Sequence, residues 1–222
     1  MTRRNLAVPS TPAVMPRFAL LSLLVLPLAA AAQVPRVEAT VDEQYGEALL
    51  AEDEGMLFQG CSLGCAYGWE TAASSHLAPQ GANAYDVAML EDGSARTAWV
   101  EGVEGDGVGE RLTFTIVANP GGEEDGGGAP VSFWGIDLVN GYAKDERTWA
   151  ANGRVRELLL SIDDAPAALL VLRDSRLPQN FSLPDGLDVA PGDVVALEIR
   201  AVYPGERYRD TALTELVLLG AH

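Results

Sequence analysis

Most of the side chains that enzymes rely on are scarce in this chain. Its 222 residues hold two histidines, two cysteines and a single lysine, Lys144. His76 is the only histidine before the C-terminal His222, so Ser-His-Asp chemistry would have to be built on one of these two. A lone histidine is more often a surface or capping residue than a catalytic one. A zinc site would need Cys or His ligands beyond the one close cysteine pair, and none stands near it. Gly105-Asp106-Gly107-Val108-Gly109 has no helix signal after it, which excludes a dinucleotide fingerprint. Beyond residue 55 no stretch keeps a 3.6-residue period, and no repeat of solenoid or propeller length is visible. Carboxylates are abundant, but so many are available that no acid-base pair for glycoside hydrolysis stands out.

Three of the fifteen Lys and Arg stand near the N-terminus. Arg3, Arg4 and Arg17 precede an apolar run from Phe18 to Leu28, and Ala30-Ala31-Ala32 before Gln33 has the small-residue form of a cleavage site. The run is broken by Pro27 and is short for a span of roughly 20 residues, so residues 1–32 read as a cleaved secretory signal, with an uncleaved anchor as the alternative. No cysteine stands there to carry a lipid. Cleavage takes three Arg and no acid from a formal net charge of −17, leaving −20 on 190 residues. Such a chain is repelled by nucleic acid and anionic lipid. The expected location is secreted, periplasmic or in the cell envelope, with no membrane insertion after cleavage. In that oxidising setting Cys61 and Cys65 are expected to close a small disulfide loop.

Residues 33–54 carry seven acids against Arg36 and read as an acidic leader or linker, with a helical turn at most around Ala48 to Ala51. Residues 55–222 form one domain by size, and 48% hydrophobic residues supply it with a core. Leu112, Phe114 and Ile116 alternate with Thr113 and Thr115, and over Val194 to Tyr203 the residues Val195, Leu197, Ile199 and Ala201 alternate with Ala196, Glu198 and Arg200. Val131 to Val139 reads as a buried strand with Trp134, Ile136 and Leu138 on one face, ending at Asn140-Gly141. Further strands are expected over Arg154 to Leu160, Ala168 to Arg173, Phe181 to Leu183 and Leu213 to Leu219, with turns at Asp163-Asp164 and Pro184-Asp185-Gly186. Asn119 to Pro130 is a loop. About eight short strands between Gly/Pro/Asn/Asp turns describe an all-β sandwich or barrel.

The order Tyr85, Asp92-Gly93, Thr97-Ala98-Trp99, Asn140-Gly141-Tyr142, Arg154-Val155, and then Tyr203-Pro204-Gly205 through Tyr208 and Asp210-Thr211 to Glu215 resembles a discoidin-type domain. That is the galactose-binding-like jelly roll of the C-terminal domains of clotting factors five and eight. The run from Thr97 to Gly102, followed by Gly105-Asp106-Gly107 and Gly109-Glu110, is similar to the glycan-binding translocation domain of streptococcal NAD glycohydrolase. The resemblance covers roughly residues 60–220. It implies a jelly-roll β-sandwich that recognises a glycan or cell-surface polysaccharide, and not the NAD-cleaving activity, which belongs there to a separate domain.

Two sets of residues follow. Loops 142–152 and 203–211 are expected to present Tyr142, Trp149, Tyr203 and Tyr208 as rings, with Lys144, Asn152, Arg207 and Arg209 as polar partners, if they share one end of the sandwich. The competing expectation is that Tyr142, Trp149 and Tyr203 are loop anchors packed on the core rim. The resemblance also implies a structural calcium at Asp92, the Ser94 carbonyl, Thr97 and Glu215, although Asp92 by itself also suits a turn cap. Glu101, Glu104, Asp106 and Glu110 are expected in a mobile, solvated loop, with a cation or sugar-hydroxyl site as the alternative. The expected function is a non-enzymatic glycan-binding module. A protein-binding or adhesion domain on the same loops and a polysaccharide hydrolase are the alternatives.

Overall fold

A computed structural model describes residues 34–51, 57–58, 62–119 and 128–220. The expected signal sequence, Cys61 and with it the disulfide, His222, and most of the Asn119 to Pro130 loop lie outside these residues.

Among the described residues the chain forms ten strands and two short helices: β1 (Arg36–Glu38), α1 (Glu43–Ala51), β2 (Tyr67–Ala73), β3 (Trp99–Val100), β4 (Arg111–Ala118), β5 (Val131–Asn140), α2 (Glu146–Ala151), β6 (Gly153–Ile162), β7 (Ala165–Val171), β8 (Pro178–Val189), β9 (Val194–Tyr203) and β10 (Thr211–Gly220). The fold is a jelly-roll β-sandwich of the galactose-binding-like class. One layer runs β2-β4-β9-β6-β7-β1 and the other β3-β10-β5-β8. The layers meet at a corner where Thr211 and Ala212 of β10 pair in parallel with Gly153 and Arg154 of β6. The alternating residues of β4 bury as their spacing predicts, and Val195, Leu197 and Ile199 of β9 do the same, although Ala196 is buried too and Ala201 is only half-buried. Phe114 and Val195 are fully enclosed, in one cluster with Phe133, Leu158, Phe181 and Leu218 from both layers.

Several expectations change: among the described residues ten strands stand where about eight were expected, and α1 runs over Glu43–Ala51 where a turn around Ala48 to Ala51 was expected. The acidic leader is not loosely attached over residues 34–40: β1 pairs in parallel with β7, Thr40 bridges Asn180 of β8, and Ala39 is buried. Its few apolar residues, Val37 and Ala39, suffice because the edge they cover supplies the remaining hydrogen bonds. Pro184-Asp185-Gly186 does not turn the chain back. It lies within β8, where the register jumps from Gly135↔Ser182 to Phe133↔Leu187, so these residues bulge from a strand that keeps its direction. The same irregularity takes Trp134 off the face of Ile136 and Leu138: those two are buried, whereas Trp134 is 37% exposed. Gly135 permits it, since a Cβ there would stand 2.4 Å from the Phe181 carbonyl oxygen. The turn at Asp163-Asp164 is as expected, with both residues at positive φ, as a two-residue hairpin demands.

Candidate functional site

The 142–152 segment is not wholly a loop. Asp145 starts α2, its Oδ1 accepting from the Thr148 amide at 2.7 Å, and this bond holds the carboxyl below its ordinary range. At the other end of the helix the carbonyls of Ala150 and Ala151 would lack partners. They accept instead from the amides of Glu206, Arg207 and Tyr208, at 2.9, 3.1 and 2.8 Å. The helix thus captures the 203–211 loop. Gly205 is the residue that allows it, because a Cβ there would stand 2.5 Å from both the Asn152 carbonyl carbon and the Tyr208 oxygen.

Arg154 locks this junction. Its side chain is 8% exposed and makes a two-pronged contact with Asp174, at 2.8 and 3.1 Å. Its Nη1 donates to the carbonyls of Asn152 and Pro204, one from each segment, at 3.0 and 3.3 Å. Its guanidinium also lies 4.6 Å from the centroid of the Trp149 ring. Trp149 in turn donates its indole N–H to the Asn140 carbonyl at 2.9 Å. Sequence reasoning missed Arg154 as a determinant of the site. Its place one residue after the β6 glycine was visible, but not the convergence of carbonyls around it.

The junction borders a cleft of about 260 Å³. Tyr142, Lys144, Asn152 and Tyr208 line it, four of the eight residues expected to bind ligand, and Tyr85 and Asp210 join them. Tyr142 is buried, its ring edge-on to Tyr85 at 6.4 Å and 87°, and burial pushes its hydroxyl up from its ordinary pKa. Tyr208 is 42% exposed and Lys144 is exposed. Asn152 donates its amide to the Thr148 carbonyl at 2.8 Å, which leaves its side-chain oxygen for another donor.

The other four expected residues are not among those lining the cleft. Trp149 is packed as described. Tyr203 pairs with Arg154 across β9 and β6 and donates its hydroxyl to the Leu172 carbonyl at 2.9 Å. Arg207 stacks on Tyr208, 4.9 Å from the ring centroid. Arg209 grips Asp106 through two contacts of 2.6 and 2.7 Å. That grip belongs to a loop tied at every acid but one. Glu101 is fully buried and accepts from the Val103 and Thr211 amides, and burial raises its pKa. Glu110 accepts from the Ser74 and Ser75 hydroxyls. The acidic glycine loop is therefore a bonded element, where sequence alone suggested a mobile one.

A second constellation joins the turn before β3 to β10. Glu215 is 4% exposed and its Oε2 accepts from the Gly93 amide at 2.9 Å. Burial, with the Asp92 carboxylate nearby, pushes its pKa up to about 9. Thr97 donates to both oxygens of Asp92, at 2.9 and 2.7 Å, and approaches the Ser94 carbonyl at 3.3 Å. Asp92 also caps its own turn through the Ser94 amide at 3.0 Å. Among the described residues no ion pair involves Glu215, and no group of three or more His, Cys, Asp or Glu side chains is placed to hold a metal ion by itself. A cation here would draw on two carboxylates, a hydroxyl and a carbonyl, an all-oxygen set that suits calcium and not zinc.

Residues 65–219 match the model of the NAD glycohydrolase translocation F5/8 type C domain. The chain belongs to this family. Two solved structures from Clostridium perfringens share the fold of this F5/8 type C domain. One is the CBM32-1 and CBM32-2 domains of ZmpB, with TM-score 0.50 and 9% identity over 86% of this chain and 42% of that one. The other adds the M60 catalytic domain, with TM-score 0.51 and 9% identity over 88% of this chain and 17% of that one. The chain therefore spans less than half of either structure. No curated protein matches it.

One serine-nucleophile string stands just before the matched region. The pentapeptide Gly60-Cys61-Ser62-Leu63-Gly64 spells Gly-x-Ser-x-Gly, but Ser62 caps the short 3-10 turn Leu63–Cys65 and accepts from the Gly64 amide at 3.1 Å. An activated serine needs a strand-to-helix elbow and a histidine within hydrogen-bond reach. No hydrogen bond joins Ser62 to His76, which is exposed.

Proposed function

We propose that this F5/8 type C domain is a non-enzymatic glycan-binding module, with the cleft between Tyr85, Tyr142 and Tyr208 as its sugar site. The observation that carries the reading is the stitching of α2 to the 203–211 loop, which sets an exposed ring, Tyr208, beside Lys144, Asn152 and Asp210 on one rigid rim. A ring offers its face to the C–H side of a sugar. Ammonium, carboxamide and carboxylate groups then exchange hydrogen bonds with its hydroxyls. Arg154 and Trp149 position these groups without entering the cleft. The fold likeness to CBM32 domains agrees with this assignment.

The same proposal includes a structural calcium held by Asp92, Thr97, the Ser94 carbonyl and Glu215. A buried carboxylate beside a second one, with no described cation to neutralise either, fits such an ion. When bound, the ion would neutralise that charge and fix the turn before β3. Export through residues 1–32, and closure of Cys61 onto Cys65 in the oxidising compartment that follows, complete the reading.

A glycan array probed with the protein, with and without chelator, tests it. Specific binding that is lost in Tyr208→Ala and Lys144→Ala, with melting temperature unchanged, is the expected result. A flat array together with capture of a defined envelope protein would assign the rim to protein recognition instead.

A further inference from the structure

A second groove of about 400 Å³ lies on the outer face of the β3-β10-β5-β8 layer, lined by different residues from the rim cleft. Its floor is a cross-strand row in which Val217 of β10, Asp137 of β5 and Asn180 of β8 stand side by side. One wall is Trp134, brought to this face by the β5–β8 irregularity described above. Asp42 and Tyr45, at the start of α1, line the groove as well. That helix is seated on Leu177 and Pro178, whose atoms would lie 3.2 and 3.1 Å from a Cβ at Gly46.

The groove's chemistry is specific. Two large rings stay open to solvent, Tyr45 at 58% and Trp134 at 37%. In the same groove the Asp137 carboxylate accepts from the Asn180 carboxamide through one oxygen, at 2.7 Å. No hydrogen bond to its second oxygen appears among the described residues. Burial raises the Asp137 pKa, so a donor reaching that oxygen would offset a desolvation cost already incurred. Among the described lining residues there are two carboxylates and no Lys, Arg or His. An anionic ligand is thereby disfavoured, and the Asn180 carboxamide beside the second Asp137 oxygen suits a flat, hydroxyl-bearing one that can both donate and accept.

We infer that this groove is a second carbohydrate site, taking a neutral pyranose against Trp134 and Tyr45 with its hydroxyls on Asp137 and Asn180. Asp42 and Tyr45 precede residues 65–219, the span of the family match, while Trp134, Asp137, Asn180 and Val217 lie within it. Two sites on one module would let it grip a polysaccharide at two points, where modest single-site affinities multiply.

The test is a titration of the protein with methyl glycosides of glucose, galactose and N-acetylglucosamine. It is read through the Trp134 indole signal in nitrogen-proton spectra, in a Tyr208→Ala background that silences the rim. Movement of the Trp134 signal with at least one of these sugars is expected, weakened about tenfold by Asp137→Asn and by Tyr45→Ala. Both variants leave the ring that reports on the site intact, and Tyr45 is exposed enough for its loss to spare the fold. A Trp134 signal that stays fixed with all three sugars overturns the inference. Movement that persists at full strength in both variants does the same.

Discussion

Replacing Glu215 by glutamine should make the calcium-free protein more stable at neutral pH, although it removes a buried native side chain. The carboxyl is 4% exposed and its pKa is raised from 4.5 to about 9, with burial first and Asp92 second among the causes. A carboxyl whose folded pKa lies above its unfolded value favours folding most when both states are protonated. Its contribution then falls as pH rises from about 4.5 towards 9, by about 1.4 kcal/mol per pH unit. Near pH 7.5 the parent has lost on the order of 4 kcal/mol relative to acid conditions, roughly 10 °C in melting temperature for a domain of this size. Glutamine keeps an oxygen for the Gly93 amide and carries no charge. In chelator, Glu215→Gln should therefore melt well above the parent near pH 7.5 and close to it near pH 4.5. Added calcium should raise the parent's melting temperature and leave the variant's unchanged. Thermal unfolding followed by circular dichroism at the two pH values, with chelator and with calcium, measures all four quantities. A variant less stable than the parent in chelator near pH 7.5 would refute both the buried-charge argument and the calcium assignment built on it.

Other outcomes follow from the same geometry. Arg154→Ala removes a two-pronged ion pair, two carbonyl contacts and the cover of Trp149. It should cost about 2–4 kcal/mol in denaturant melts and weaken glycan binding without touching the ligand. Tyr208→Ala should lose glycan binding at least tenfold in calorimetry while its melting temperature moves by less than about 2 °C, since an exposed ring adds little to stability. Gly135→Ala places a Cβ 2.4 Å from the Phe181 carbonyl oxygen. It should lower stability by about 2 kcal/mol or more, read by the same melts.

The fold class was legible because strands with one buried face must alternate, as β4 does around Phe114. The site was legible only in part. Tyr142, Lys144, Asn152 and Tyr208 share the cleft as expected, whereas Trp149, Tyr203, Arg207 and Arg209 are committed to partners inside the protein. Both groups look alike as a string of rings and cations between strands. What separates them is whether a carbonyl, a ring or a carboxylate is close enough to occupy the polar end.

Alternation, turn residues and charge balance are local properties, and they were enough to set the all-β class, the place of most strands and the acidic character of this chain. They left sandwich and barrel open and suggested about eight strands where the described residues form ten. The leader's place on the sheet, the outward turn of Trp134 and the clamp at Arg154 depend on which strands lie side by side. A register shift of one position moves a side chain to the opposite face. Only the packed structure decides where such a shift falls.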